Sequence, residues 1–268
     1  MSMEPLITLK LLHNKVTGIV LSGGGVKGAS HIGVLQALRE FSIEPKVISG
    51  VSAGALVGAL YAKGLVPLDI LRFFRETPLF RYNLVSIQKP GFFDTERYQQ
   101  FLETYIPENT FEALSRKLFI VATNLQKGEI TYFSKGNLFL PLLASAALPP
   151  VFSPVVINDE LYSDGAIMNN FPVEPLVSHT DYIIGSYTSI AEPMEASHIT
   201  TALKLTARVN SLMIHANALP SLRLCDILFQ PEHLNRVGVL DKKGLDKAYQ
   251  IGYDDAMFTL DHIFETQV

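Results

Sequence analysis

Apolar and polar positions follow two periods along this chain. Short unbroken apolar runs of strand length alternate with longer stretches in which apolar residues return every three or four positions. The runs Gly18-Ile19-Val20-Leu21, Lys46-Val47-Ile48-Ser49, Leu118 to Ala122, Asp181 to Ser186 and Cys225 to Phe229 lack the in-out alternation of a half-solvated strand. They predict strands covered on both faces. Between them, Ala29 to Phe41 carries Ile32, Leu35 and Leu38 in helical phase, and Pro67 to Arg75 carries Leu68, Leu71 and Phe74 with proline in its first turn. These predict helices, as do Ala55 to Tyr61, Ile199 to Leu219, Gly244 to Phe264, and a segment from Asp94, a suitable N-cap, to Tyr105. Glu129 to Phe133 follows Leu118 to Ala122 through Gln126-Lys127-Gly128, a hairpin signal that predicts an antiparallel edge. The alternation is that of an α/β protein, and no repeat, linker or low-complexity run divides it.

Two of the strand-to-helix junctions are glycine-rich. The first, Gly23-Gly24-Gly25-Val26-Lys27-Gly28, lets backbone N–H groups converge with no Cβ in the way. The unpaired donors of the following helix add positive potential at the same place, which suits an oxyanion. In the second, Gly50-Val51-Ser52-Ala53-Gly54, glycines flank Ser52 at i−2 and i+2. That is the G-x-S-x-G elbow, in which small neighbours permit a sharp turn that lifts the serine hydroxyl out of the backbone, so Ser52 is the candidate nucleophile. Gly23, Gly25 and Gly28 also fit a dinucleotide fingerprint, but Glu40 and Glu44 precede the next strand, whereas that fingerprint wants an acid after it. Lys27-Gly28 is the reverse of the Gly-Lys order of a P-loop. Each turn could also merely close its βα unit tightly.

Downstream, a short strand from Val155 turns at Asn158-Asp159 into Leu161-Tyr162-Ser163-Asp164-Gly165-Ala166. On position alone Asp164-Gly165 is first of all an Asx-turn. A carboxylate at a strand end beside a residue with no side chain is equally a place for a general base. The charge-free stretch Gly136 to Asn158 is long enough to span a bilayer, yet Pro141, Pro149, Pro150 and Pro154 break it. A buried helix over Leu138 to Ala147, a turn and a strand are expected there instead.

Composition narrows the function classes. A chain of 268 residues can bury a large core, and a single domain over 1–268 is expected. The net charge of −4 and the absence of a Lys/Arg run argue against a nucleic-acid partner. One cysteine, Cys225, excludes an internal disulfide and suits a buried small residue. Met1 to Leu12 lacks the charged start and small-residue cleavage site of a secretory signal, so a cytoplasmic or membrane-peripheral location is expected. The histidines show no ligand spacing, and neither a metal nor a cofactor is expected.

Taken in order, the two glycine-rich turns and Asp164-Gly165-Ala166 resemble the patatin-like phospholipases, or lipid acyl hydrolases, over roughly Val16 to Ser186. Ala144-Ser145-Ala146-Ala147-Leu148-Pro149 and Asn169-Asn170-Phe171-Pro172-Val173 are also similar to bacterial members. The resemblance implies a three-layer fold with a mostly parallel central sheet between helices. It implies Ser52 as nucleophile, Asp164 as general base, and an oxyanion hole from the amides of Gly23, Gly24 and Gly25, supported by Lys27, Gly28, Gly50, Gly54 and Gly165. Ser22 stands where the family often has Asp, and Ala166 where it commonly has Gly.

Two rivals stay open on sequence: a Ser-His-Asp triad with His233 on the Pro231-Glu232-His233 turn, and a lipid-binding relative without chemistry. The expected substrate is a lipid or fatty-acyl ester, with an acyl-chain wall supplied by Phe80 to Phe93 and Leu138 to Leu143. With no basic cluster in the sequence, contact with a membrane or micelle is expected to be transient and hydrophobic, changing little with salt.

Overall fold

The structure is a computed structural model and describes residues 15–78 and 85–265, so the reading of Met1 to Leu12 lies outside the described residues. Among them, eight strands form one sheet: β1 (Thr17–Leu21), β2 (Val47–Val51), β3 (Lys117–Asn124), β4 (Glu129–Phe133), β5 (Val155–Ile157), β6 (Glu160–Asp164), β7 (Tyr182–Ser186) and β8 (Ile227–Phe229). The helices are α1 (Ala29–Glu40), α2 (Ala53–Lys63), α3 (Pro67–Glu76), α4 (Gln99–Glu103), α5 (Phe139–Ser145), α6 (Glu174–Val177), α7 (Ala202–Leu222) and α8 (Leu245–Glu265).

Strands β3, β2, β1, β7 and β8 lie side by side in parallel, while β4 and β6 pair antiparallel with β3, and β5 with β6. The expected mostly parallel sheet with an antiparallel edge is therefore what the chain builds. Successive side chains of a strand go to opposite faces. Ile19, Leu21, Ile48, Leu118 and Ile120 accordingly enter one core with α1, α2 and α8. Val20, Val47, Phe119 and Ile183 enter a second core with Phe171, Leu176, Ala218 and Leu222, on the face covered by α6 and α7. Two covered faces explain why the strand sequences are unbroken apolar runs.

One register positions the site. Val121 pairs with both Val51 of β2 and Tyr132 of β4, and Ala122 pairs with both Asp164 of β6 and Thr131 of β4. Because β4 occupies one edge of β3, Val51 and Asp164 must share the other edge at successive positions. The ends of β2 and β6 thus meet there, and the residue after Val51 is Ser52.

Several boundaries move. α2 starts directly after Ser52, two residues before the expected Ala55. Asp94 does cap, accepting from the Glu96 N–H at 3.3 Å, but the segment begins as a 3-10 turn over Thr95–Tyr98 and becomes helical only at α4. In α3 the buried stripe is Ile70, Leu71 and Phe73, and Leu68 is exposed. Neighbouring apolar positions gave two overlapping stripes, and packing chose the other one.

Candidate active site

The glycine corner follows β1. Gly25 takes a left-handed φ of 58° and opens a 3-10 turn over Gly25–Gly28. A Cβ on Gly24 would lie 2.2 Å from Thr188 Oγ1, so only glycine fits under the β7 loop. The loop is pinned from several sides. Gly23 O accepts from Thr188 Oγ1 at 2.8 Å, Ser189 Oγ at 2.9 Å and Ser22 Oγ at 3.2 Å, and the Val26 N–H donates to Val239 O at 2.8 Å.

His31, wholly buried in α1, bridges Ser22 O at 2.8 Å and Ser186 Oγ at 2.7 Å. Burial lowers its pKa to about 4, so the ring is neutral near pH 7. A carbonyl only accepts, hence Nε2 carries the proton and Nδ1 accepts from the Ser186 hydroxyl. His31 is thus a packed residue that ties α1 to the glycine loop and to β7.

The second corner carries Ser52 at φ 54° and ψ −125°, a backbone region that L-residues rarely hold. It is kept there by a helix pressed against a strand: a Cβ on Gly54 would lie 2.3 Å from Leu21 O. The Ser52 N–H donates to Ser145 Oγ of α5 at 2.9 Å. Gly28, Gly50 and Gly165 are contact points of the same kind, against Ala53, Gly54 O and Val121 O.

Ser52 Oγ donates to Asp164 Oδ2 at 2.8 Å, and the Ala166 N–H donates to Asp164 Oδ1 at 2.9 Å. The Asx-turn and the candidate base are therefore one structure, in which each carboxylate oxygen has its own partner. Asp164 is almost completely buried, and burial raises its pKa to about 7 against the opposing effect of those two hydrogen bonds. The lining of the site is apolar enough to make the charged form costly, and the partners keep it reachable near neutral pH.

An apolar cavity of about 140 Å³ opens from Ser52 and Gly25, comparable to one that takes up a benzene ring. Its walls are Phe73 and Phe74 at the end of α3, Tyr98 and Phe152, and Val239 with Leu240. This corrects the expected acyl wall. Of Leu138 to Leu143, Leu143 reaches the cavity while Leu138 and Leu142 are in the core. Phe80 and Tyr82 lie outside the described residues, and none of the described residues from Val85 to Phe93 lines the cavity. The α3 helix both packs into the core and lines the cavity through Phe73.

The three glycine amides expected to form an oxyanion hole differ in their partners. The Gly23 N–H already donates to Asn170 Oδ1 at 3.0 Å, because the chain after Asp164 returns beneath the loop. The amides of Gly24 and Gly25 have no acceptor among the described residues. Lys27, on the 3-10 turn, is half-buried, and burial lowers its pKa against the pull of Glu192.

His233 is not brought to the pair: it sits exposed on a turn at φ 68°, and both Asp164 oxygens are already engaged. Cys225 is partly buried, and burial pushes its thiol up to about 12, which removes it as a nucleophile. Sequence reasoning gave no role to Ser145, Asn170 or Thr188. Ser145 and Asn170 stood inside stretches singled out by resemblance, which was the available signal.

A family model described as patatin-like phospholipase matches residues 19–177, which contain both corners and Asp164. An uncharacterized NTE family protein of Mycobacterium bovis is 29% identical over 212 residues, covering 76% of this chain and 59% of the relative. Lysophospholipase NTE1 of Cryptococcus neoformans is 33% identical over 173 residues, covering 59% of this chain and 10% of that protein. The chain thus spans about three fifths of the mycobacterial relative's length. The crystal structure of VipD from Legionella pneumophila superposes with a TM-score of 0.55 at 18% identity, covering 92% of this chain and 67% of that one, a likeness of fold.

Proposed function

The chain belongs to the patatin-like phospholipase family, and from that premise we propose that it hydrolyses fatty-acyl esters of lipids through a Ser52–Asp164 dyad and an acyl-enzyme. The observation that carries this reading is the 2.8 Å bond from Ser52 Oγ to a buried carboxylate at the mouth of an apolar cavity.

Ser52 Oγ attacks the ester carbonyl carbon as its proton passes to Asp164 Oδ2. The oxygen that gains charge faces the Gly24 and Gly25 amides, while Gly23, tied to Asn170, fixes the loop rather than donating. Collapse breaks the bond to the leaving alcohol, which takes the proton from Asp164. A water then gives its proton to Asp164 and its oxygen to the acyl carbon, and the acid leaves as Ser52 recovers its hydrogen. One carboxylate serves as base and acid in turn, so no imidazole is required. The acyl chain lies along Phe73, Phe74 and Tyr98, where each buried methylene contributes about 0.8 kcal/mol of transfer free energy.

Fluorophosphonate labelling tests the nucleophile: the wild type should be modified and Ser52→Ala spared, and equal labelling would overturn the reading. His233→Ala should keep kcat/KM within about twofold. A fall as deep as that of Ser52→Ala would replace the dyad by a triad. Esters of rising acyl length, offered as monomers and in micelles, test the substrate class. Rates that peak at acetyl esters and ignore aggregation would leave a general esterase.

A further inference from the structure

The long helix α7 is built inside out. It has 21 residues, about 31 Å, yet only Ala218 and Leu222 in its last two turns are buried. None of residues 202–217 is buried. Leu205, Val209, Leu212, Met213 and Leu219 recur at helical spacing and are 43 to 58% exposed, with Leu203 at 79%, and of these Val209 and Met213 lie on the side opposite Ala218 and Leu222. An amphipathic helix of a globular protein turns such a stripe to the core, whereas here it faces water.

Its place in the fold gives the stripe a direction. α7 links the parallel neighbours β7 and β8, so it runs back along the sheet and its first turns stand at the edge that carries both glycine-rich corners. His215 Nδ1 meets Tyr187 OH at 3.0 Å, and Arg208 donates to Glu192 O at 2.9 Å, just beyond the loop that holds Gly23. Val239 and Leu240, which rim the cavity, are themselves over a third exposed.

Charge identifies the occupant. Residues 196–225 contain Lys204, Arg208 and Arg223 and no Asp or Glu, in a chain whose net charge is −4. No carboxylate lies within 4 Å of any of these three cations among the described residues. A second copy docked across a two-fold axis would set these like charges against themselves. An anionic lipid surface satisfies both the apolar stripe and the cations.

We propose that the amino-terminal half of α7 seats the protein on anionic membranes, with Leu205, Val209 and Met213 entering the acyl boundary and Lys204 meeting head groups. The site would then open toward the lipid that supplies its substrate, and in that respect the proposal rests on the lipid-ester reading above. It also revises the sequence expectation of salt-insensitive docking. The cations are too scattered in sequence to form a run, and only Lys204 and Arg208 stand on the first turns of α7, at the site edge, whereas Arg223 follows its last residue.

The test is co-sedimentation of the full chain with vesicles of phosphatidylcholine alone or with about one third phosphatidylserine. The wild type should bind the mixed vesicles about tenfold more tightly, and added salt should erase that difference. Lys204→Glu should weaken binding to the mixed vesicles about tenfold and leave phosphatidylcholine binding unchanged. The pair Leu205→Gln with Val209→Gln should weaken both. All of these exposed substitutions should retain hydrolysis of a soluble short-chain ester, and Ser52→Ala should bind vesicles like the wild type.

Variants that bind like the wild type would overturn the proposal. So would variants that convert a dimer to monomer while vesicle binding persists, which would make α7 an interface between copies. Vesicle binding lost in the α7 variants, together with no hydrolysis of any ester by the wild type, would sink the enzyme reading and leave this one standing.

Discussion

The two glycine-rich corners share one plan, a parallel strand breaking into a helix, and hold their backbones in opposite ways. At Ser52 the strain is in the residue itself, at φ 54°, and its polar partners are Ser145 on the amide and Asp164 on the hydroxyl. At Gly23 to Gly25 the glycines accept unusual geometry without penalty, and the loop is tied to Thr188, Ser189, Asn170, Val239 and His31. In the proposed mechanism the Ser52 corner presents one reactive atom whose neighbours exchange a proton, so it needs few contacts and a responsive partner. The glycine corner, in the proposed mechanism, keeps two N–H groups aimed at a charge that exists only briefly, and electrostatic preorganisation of that kind requires a frame that does not move.

Deleting the reactive atom should cost most. Ser52→Ala should lower kcat by about 10⁵-fold or more, because the residual rate then comes from binding and the oxyanion donors alone. Asp164→Asn keeps the shape and removes the proton acceptor, so kcat should fall about 10³- to 10⁴-fold. In the wild type, kcat/KM should rise with pH through about 7, where Asp164 loses its proton. A flat profile between pH 5 and 8, on the order of the range in which such a group titrates, would remove Asp164 as base. At the glycine corner, Gly24→Ala drives a Cβ into Thr188 Oγ1 and displaces the donors. Losing one such donor costs about 2.7 to 4 kcal/mol of transition-state stabilisation, so kcat should drop 10²- to 10³-fold with little change in KM. A Gly24→Ala enzyme with normal kcat would mean that the glycine corner is structural only.

The contrast also accounts for what was legible beforehand. The corners announce themselves because their requirements are local: glycines at fixed offsets, and apolar runs on either side that mark strand and helix. Asp164 was readable only as a residue at a strand end, since its approach to Ser52 depends on β6 meeting β2 along one edge of β3, a register that no local pattern encodes. The pins of the glycine loop were less accessible still, because Asn170 and Thr188 reach Gly23 across 147 and 165 positions and their residue types are common in loops. The cavity wall was misplaced for a related reason. Apolar density in sequence does not distinguish a side chain facing a cavity, such as Phe74, from one facing the core, such as Leu142. The face of α7 was hidden in the same way, since an exposed stripe and a buried one read alike.

The smallest expected effect separates the corners by their response to acid, since each holds one buried titrating group of opposite kind. The pKa of Asp164 is raised from 3.8 to about 7, so the native state binds its proton more tightly than the unfolded chain does. Its contribution to stability is present in full below pH 3.8 and is lost as pH rises through about 7. The pKa of His31 is lowered from 6.5 to about 4, so the unfolded chain binds that proton more tightly. Its contribution is complete above pH 6.5 and is lost as pH falls toward about 4. Both groups titrate far from where they would in the unfolded chain, by similar amounts and in opposite directions, so between about pH 4 and 6.5 the two contributions oppose each other. Removing one group should therefore expose the slope of the other. Relative to wild type, Asp164→Asn should gain stability at neutral pH and lose that advantage on acidification, whereas His31→Ala should be weakened at neutral pH and recover toward wild type as the medium becomes acid. Denaturant midpoints measured across that range would show it. His31→Ala should in addition lower kcat about tenfold with KM nearly unchanged, as fits a positioning residue that acts through the Ser22 carbonyl on the glycine loop. Stability differences from wild type that change with pH in the same direction in both variants would mean that the two corners do not hold their charges in the opposed way described.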